Sequence, residues 1–275
     1  MWKALKYILL YFAFQLVTTL VVMIPGLILK CDKSVLVILA LALSSILFCW
    51  YLVRKGVVRL DKISFAVPHW SVLLASVVAL CFFFLPEIAL TEALSLPDFM
   101  EDEWEGIVSS ILGLIVIGIL VPITEEMLFR GAVLRSLLDW DKLRSKPWLA
   151  ILLSGVFFAL FHLNPAQMPS AFLMGWFLGW LCYRTGSLIP GMVVHVFNNS
   201  VVCIASMFPE EEGSAETLAE MFGSPLKEYL VVGISAILCA MVVVWLIRKV
   251  KERYHVETML QEPEEVSVSE DVIGQ

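Results

Sequence analysis

Charge is what this sequence has least of. Asp, Glu, Lys and Arg make up 16% of its 275 residues, against 60% hydrophobic residues and a mean hydropathy of +0.87. A soluble domain of this length covers its core with far more charge, so a water-soluble globule is excluded. Cysteine pairs are missing too: Cys31, Cys49, Cys81, Cys182, Cys203 and Cys239 are scattered, with no Cys-x-x-Cys. That argues against a disulfide frame or a cysteine zinc site and leaves them as small apolar residues. The sequence has no basic stripe interleaved with aromatics, which removes nucleic acid from the candidate partners. Internal repeats, low-complexity runs and a separate soluble domain are also absent.

What is present is a series of apolar runs of about 20 residues, the length a helix needs to cross ~30 Å of hydrocarbon. Strands of a membrane barrel alternate apolar and polar residues, and these runs do not. The expected fold is therefore all-α: a polytopic membrane helical bundle of about eight transmembrane helices. The predicted spans are 7–29, 34–53, 70–90, 107–134, 148–163, 170–185, 188–207 and 228–247. The first follows Lys3 and Lys6 but is longer than a signal h-region and lacks a small-x-small cleavage site, so it reads as retained.

Charge in the loops orients the bundle. Arg54, Lys55, Arg59 and Lys62 follow the second span, and Arg135, Lys142, Arg144 and Lys146 follow the fourth. Arg184 follows the sixth; Arg248, Lys249, Lys251 and Arg253 follow the eighth. The alternate loops are acidic, with Glu92, Asp98, Glu101, Asp102, Glu103 and Glu105 in one and Glu210, Glu211, Glu212, Glu216 and Glu220 in another. The positive-inside rule then puts both termini in the cytoplasm, with the Lys30 and Lys33 loop the one departure. Residues 1–255 read as a single transmembrane domain, 105–205 as its chemical core, and 256–275 as a solvated, disordered acidic tail. The tail carries much of the net charge of −7, so that charge says little about partners.

The first 90 residues read as scaffold. Strong polarity inside the spans is concentrated between 120 and 200. On the fourth span, Glu125 and Glu126 follow the apolar run Ile111–Val121, where an ionised carboxylate costs a few kcal/mol. Glu126 and Arg130 are i,i+4 and can pair, whereas Glu125 lies about 100° around the helix, free to face a cavity. Pro122 just upstream would loosen the helix locally and help admit water. His162 closes the fifth span after Phe158, and His195, Asn198 and Asn199 share one side of the seventh. Gly191, one turn before His195, lets a neighbouring helix come close.

Alone, each group has a bland reading: a helix end, an interhelical hydrogen bond, a polar packing patch. Together, Glu125, Glu126, Arg130, His162, His195 and Asn199 are expected to share one wet cavity, since separate burial would leave several unsatisfied. A carboxylate and a His can position and deprotonate water, while His and Asn can hold an oxyanion. The same donors Glu125, His162 and His195 could instead hold zinc. One distance resists. At 1.5 Å per residue from the basic-loop edge, His195 lies about 10 Å deep and His162 about 20 Å, so convergence needs tilt or shifted span edges.

Glu-Glu-x-x-x-Arg at Glu125–Arg130, Phe-x-x-x-His at Phe158–His162 and His-x-x-x-Asn at His195–Asn199 occur in order on a polytopic chain. With Gly186-Ser-Leu-Ile-Pro190, they resemble the CAAX prenyl protease and bacteriocin-processing family, also called abortive-infection or CPBP membrane proteases, over roughly 105–205. The resemblance implies that Glu125 and His162 activate the attacking water, that His195 and Asn199 stabilise the oxyanion, and that Glu126 and Arg130 support the site. It implies an intramembrane endopeptidase of glutamate or metallo type. The metal-free form, with no cofactor, is the one expected here; zinc on Glu125, His162 and His195 is the alternative. His-Glu-x-x-His, Gly-x-Ser-x-Gly and Gly-x-Gly-Asp are absent, which argues against site-2, serine and presenilin-like proteases.

The expected partners are the lipid bilayer and a membrane-associated peptide or protein, lipidated or CAAX-like in some relatives, in a bacterial cytoplasmic membrane. Oligomeric state is open. Two other classes share these residues: a non-enzymatic immunity or scaffold protein binding a bacteriocin-like peptide, and a small proton-relaying transporter. Gly175 and Gly179 form a Gly-x-x-x-Gly that is read as packing within the chain rather than between chains.

Overall fold

A computed structural model describes residues 1–60, 64–100, 106–208 and 217–250. The tail 256–275 and most of the acids of the two acidic loops lie outside the described residues. All regular structure among the described residues is helical. The long helices are α1 (Trp2–Ile28), α2 (Lys33–Arg54), α3 (Trp70–Leu94) and α4 (Ile111–Leu138). A short α5 (Asp141–Arg144) leads to α6 (Pro147–Phe161), α7 (Met168–Thr185) and α8 (Ile189–Ala205). A short α9 (Leu218–Phe222) precedes α10 (Pro225–Lys249). Each expected span is thus occupied by a helix. By length and composition α1, α2, α3, α4 and α10 can cross a membrane, while α6 and α8 are apolar but shorter.

Local chemistry sets the helix ends. The side chains of Asp32, Ser110 and Ser224 accept hydrogen bonds from the first-turn amides of Val35, Gly113 and Lys227, as N-caps do. Gly186 ends α7 at φ 68°, a conformation that glycine adopts without penalty. The Arg184 guanidinium donates to the Ile247 and Val250 carbonyls and so closes the C-terminal end of α10.

Packing is pairwise: α1 lies on α2, α3 on α10, α6 on α7, and α4 on α8. The α6–α7 contact is backbone to backbone. A Cβ on Gly175 would sit 3.1 Å from Gly155 Cα, and one on Gly155 3.0 Å from Trp176 N. The Gly-x-x-x-Gly pattern therefore works within the chain, as expected.

Helix α4 is the axis of the molecule and departs from regular α geometry twice. Leu114–Leu120 and Met127–Leu134 are π-helical, flanking an α-helical Val121–Glu126. Such widened turns recur at functional sites. Every residue from Met127 to Leu134 is buried, packed with Leu52, Val58, Leu137, Leu143 and Leu188. This core fills the bundle at the end that carries the basic loops. The outward faces of α1 and α10 expose Leu16, Val21, Ile237 and Met241, the apolar surface a bilayer would cover.

Candidate active site

The carboxylates of α4 separate as their helix positions require. Glu126 is fully buried; its Oε1 lies 2.8 Å from Arg130 Nη1 and 3.0 Å from His195 Nδ1. Arg130 is itself fully buried, donates from Nη2 to the Gly175 carbonyl at 3.1 Å, and stands 4.7 Å over the Phe158 ring. The carboxylate, the carbonyl and the aromatic face offset part of the water this cation has lost; its Nε is buried with no hydrogen-bond partner among the described residues. Arg130 in turn balances Glu126, which accepts the Nδ1–H of His195 and fixes the imidazole.

His195 Nε2 then faces Glu125 Oε2 at 3.5 Å. Glu125 does not join the Arg130 network; it lines a cavity of about 580 Å³ together with His162, His195, Asn198 and Asn199. The face assignment from helix geometry therefore holds. Room for this arrangement comes from Gly191, where a Cβ would lie 2.5 Å from Glu126 Oε2. Gly191 thus admits a carboxylate as well as a neighbouring helix.

Pro122 explains the other wall. With no N–H, it leaves one carbonyl of the preceding turn without its helical donor, and side chains of α8 reach two carbonyls of that turn. Ser200 donates its hydroxyl to the Gly118 carbonyl at 3.2 Å, and Asn199 donates from Nδ2 to the Ile117 carbonyl at 3.2 Å. The Asn199 Oδ1 accepts from Asn198 Nδ2 at 3.2 Å, so the amide plane is held and one N–H remains for the cavity. Gly118 itself lets α8 approach, with Ser200 Cα 3.4 Å from where its Cβ would be.

His162 sits where α6 ends. Its Nδ1 is 2.8 Å from the Phe158 carbonyl; it donates there and presents Nε2 to the cavity as an acceptor. Phe158 touches both imidazoles, its ring 4.9 Å from the His162 ring and 5.5 Å from that of His195, and both histidines line the one cavity. Leu163 follows at φ 52°, a strained turn for a leucine that stops the helix immediately after His162. Buried Asn164 holds this turn, donating to Asp98 Oδ1 at 2.8 Å and accepting from Phe99 N at 3.3 Å.

All six residues singled out in the sequence are thus brought together. Additional cavity-lining residues come from outside that set: Gln15 of α1, Glu87 of α3 and Gln167 before α7. Reading the first 90 residues as scaffold passed over Gln15 and Glu87; an acid one residue after Pro86 inside a span was the available signal. Most of the lining comes from the middle of the helices outward to their acidic-loop ends, and Met100 and Gln167 stand at that end. Among the described residues no three His, Cys, Asp or Glu side chains are grouped as metal ligands, so Glu125, His162 and His195 would have to close further to hold zinc.

No curated protein and no solved structure matches the chain. Residues 107–201, which contain Glu125, Glu126, Arg130, His162, His195 and Asn199, match the family model described as Type II CAAX prenyl endopeptidase Rce1-like, in agreement with the family that the three motifs resemble.

Proposed function

We propose that this chain is a multi-pass intramembrane endopeptidase that hydrolyses peptide bonds of membrane-associated peptides or proteins with Glu125 as general base. The observation that carries the reading is a buried carboxylate 3.5 Å from a fixed imidazole on the wall of a large apolar cavity. Glu125, helped by the acceptor Nε2 of His162, takes a proton from water as the oxygen attacks the scissile carbonyl. Negative charge moves onto the carbonyl oxygen, where Asn199 Nδ2–H donates to it together with Nε2–H of a doubly protonated His195, whose Nδ1–H stays on Glu126. The intermediate collapses with cleavage of the C–N bond, and Glu125 returns its proton to the leaving nitrogen. Burial of the site makes each of these interactions stronger than it would be in water.

The reading is metal-free: Glu125 serves as the base, and the two imidazoles are oriented by the Phe158 carbonyl and by Glu126. Zinc on Glu125, His162 and His195 would instead supply a Lewis acid. Loop charge supports cytoplasmic termini and a bacterial cytoplasmic membrane, with the cavity reached from the opposite, acidic-loop face.

The test is cleavage of a pool of lipidated and unlipidated membrane peptides by the purified protein in liposomes, read by mass spectrometry with and without chelator. Discrete cuts that survive chelation are expected. Cuts lost on chelation and restored by zinc would replace the metal-free mechanism. A folded protein that binds peptides and cuts none would leave the non-enzymatic binder.

A further inference from the structure

Glu87 is an acid that meets the hydroxyl of Ser170 but, among the described residues, no cation. It lies within membrane-spanning α3, is half-buried, and lines the same cavity as Glu125. An ionisable group inside a span is expensive and is normally paired within the protein. Among the described residues Glu87 has no ion pair, and no Lys or Arg lines the cavity; Arg130 is committed to Glu126 and Gly175 behind the Phe158 ring. The placement of Glu87 is not incidental. Pro86 deprives the Phe82 carbonyl of its helical donor, and the Ser235 hydroxyl of α10 donates to that carbonyl at 2.7 Å. The turn bearing Glu87 is thereby fixed to the neighbouring helix.

We infer that Glu87 is a specificity residue: it pairs with a cationic side chain of an apolar peptide substrate, so that the substrate brings the counter-charge the cavity lacks. This rests on the endopeptidase reading and deepens it.

The experiment separates binding from chemistry. Fluorescent apolar peptides carrying a single Lys, Gln or Glu at successive positions are titrated against full-length E125Q, whose cavity keeps Glu87 as its one carboxylate. The Lys peptide is expected to bind about tenfold more tightly than the Gln peptide, as one ion pair in a low-dielectric site gives. That margin is expected to vanish in E125Q/E87Q, to return in E125Q/E87D and to reverse in E125Q/E87K toward the Glu peptide. In the otherwise native chain E87Q raises KM for the Lys peptide more than it lowers kcat. Melting temperatures identify variants that fail to fold, and E87D then carries the comparison. Equal binding of the three peptides to E125Q, or a Lys preference that survives E87Q, overturns the inference whether or not the native protein cleaves. Absence of cleavage alongside a Glu87-dependent Lys preference would overturn the endopeptidase reading alone.

Discussion

The two π-helical stretches of α4 look alike in backbone and differ in what surrounds them. Met127–Leu134 is buried at every residue and carries Arg130, which meets the Glu126 carboxylate, the Gly175 carbonyl and the Phe158 ring. Leu114–Leu120 has Ile115 and Ile119 exposed, turns Ile117 into the cavity, and gives main-chain carbonyls to Asn199 and Ser200. One half therefore uses polarity to lock the bundle, and the other leaves polarity free for a ligand. Glu125 and Glu126 sit at the junction and divide between these roles. Adjacent carboxylates on one helix can serve structure and chemistry separately because 100° of rotation puts them in different surroundings.

Substitutions on either side of that junction should differ in kind. On the packed side, Arg130→Ala leaves Glu126 buried without its cation and is expected to cost about 3–5 kcal/mol of stability, with activity falling along with the fold. Chemical unfolding in detergent measures it; an unchanged midpoint would break the division. On the open side, Asn199→Ala is expected to lower kcat about 10²–10³-fold through the oxyanion while the melting temperature moves little. Steady-state kinetics beside a thermal melt read both numbers.

Gly191→Ala sharpens the boundary. Its new Cβ meets Glu126 Oε2, so it should destabilise by about 1–3 kcal/mol and turn His195 away from Glu125, lowering kcat more than it raises KM. The smallest effect belongs to Ser200→Ala, which strips the Gly118 carbonyl of its donor for about 1 kcal/mol. Faster amide exchange confined to the residues around Pro122 is the expected signature.

Much of this was legible in the sequence. Hydropathy placed a helix at each of the eight expected spans, five of them long and apolar enough to cross a membrane, because lipid demands continuous apolar helix and leaves little freedom. The Glu126–Arg130 pair and the exposure of Glu125 to a cavity followed from i,i+4 geometry alone. Two things did not follow. The π-helical turn Leu114–Leu120 gives two carbonyls to Asn199 and Ser200 of another helix, and pairing between distant helices is invisible in one chain's periodicity. Gln15 and Glu87 join the cavity for the same reason: α1 and α3 reach it through contacts far away in sequence. Counting residues from the membrane edge put His162 and His195 at different depths and could not show that both touch the Phe158 ring and line one cavity.

The most direct test of the central claim is single-turnover cleavage by E125Q of a peptide that the native protein cuts, with binding of that peptide measured on the same samples. Binding within a few-fold of native with cleavage slower by about 10²–10⁴ is predicted, as loss of a general base gives. Cleavage by a folded E125Q at near-native rate would contradict the assignment of Glu125 and move the chemistry elsewhere in the cavity.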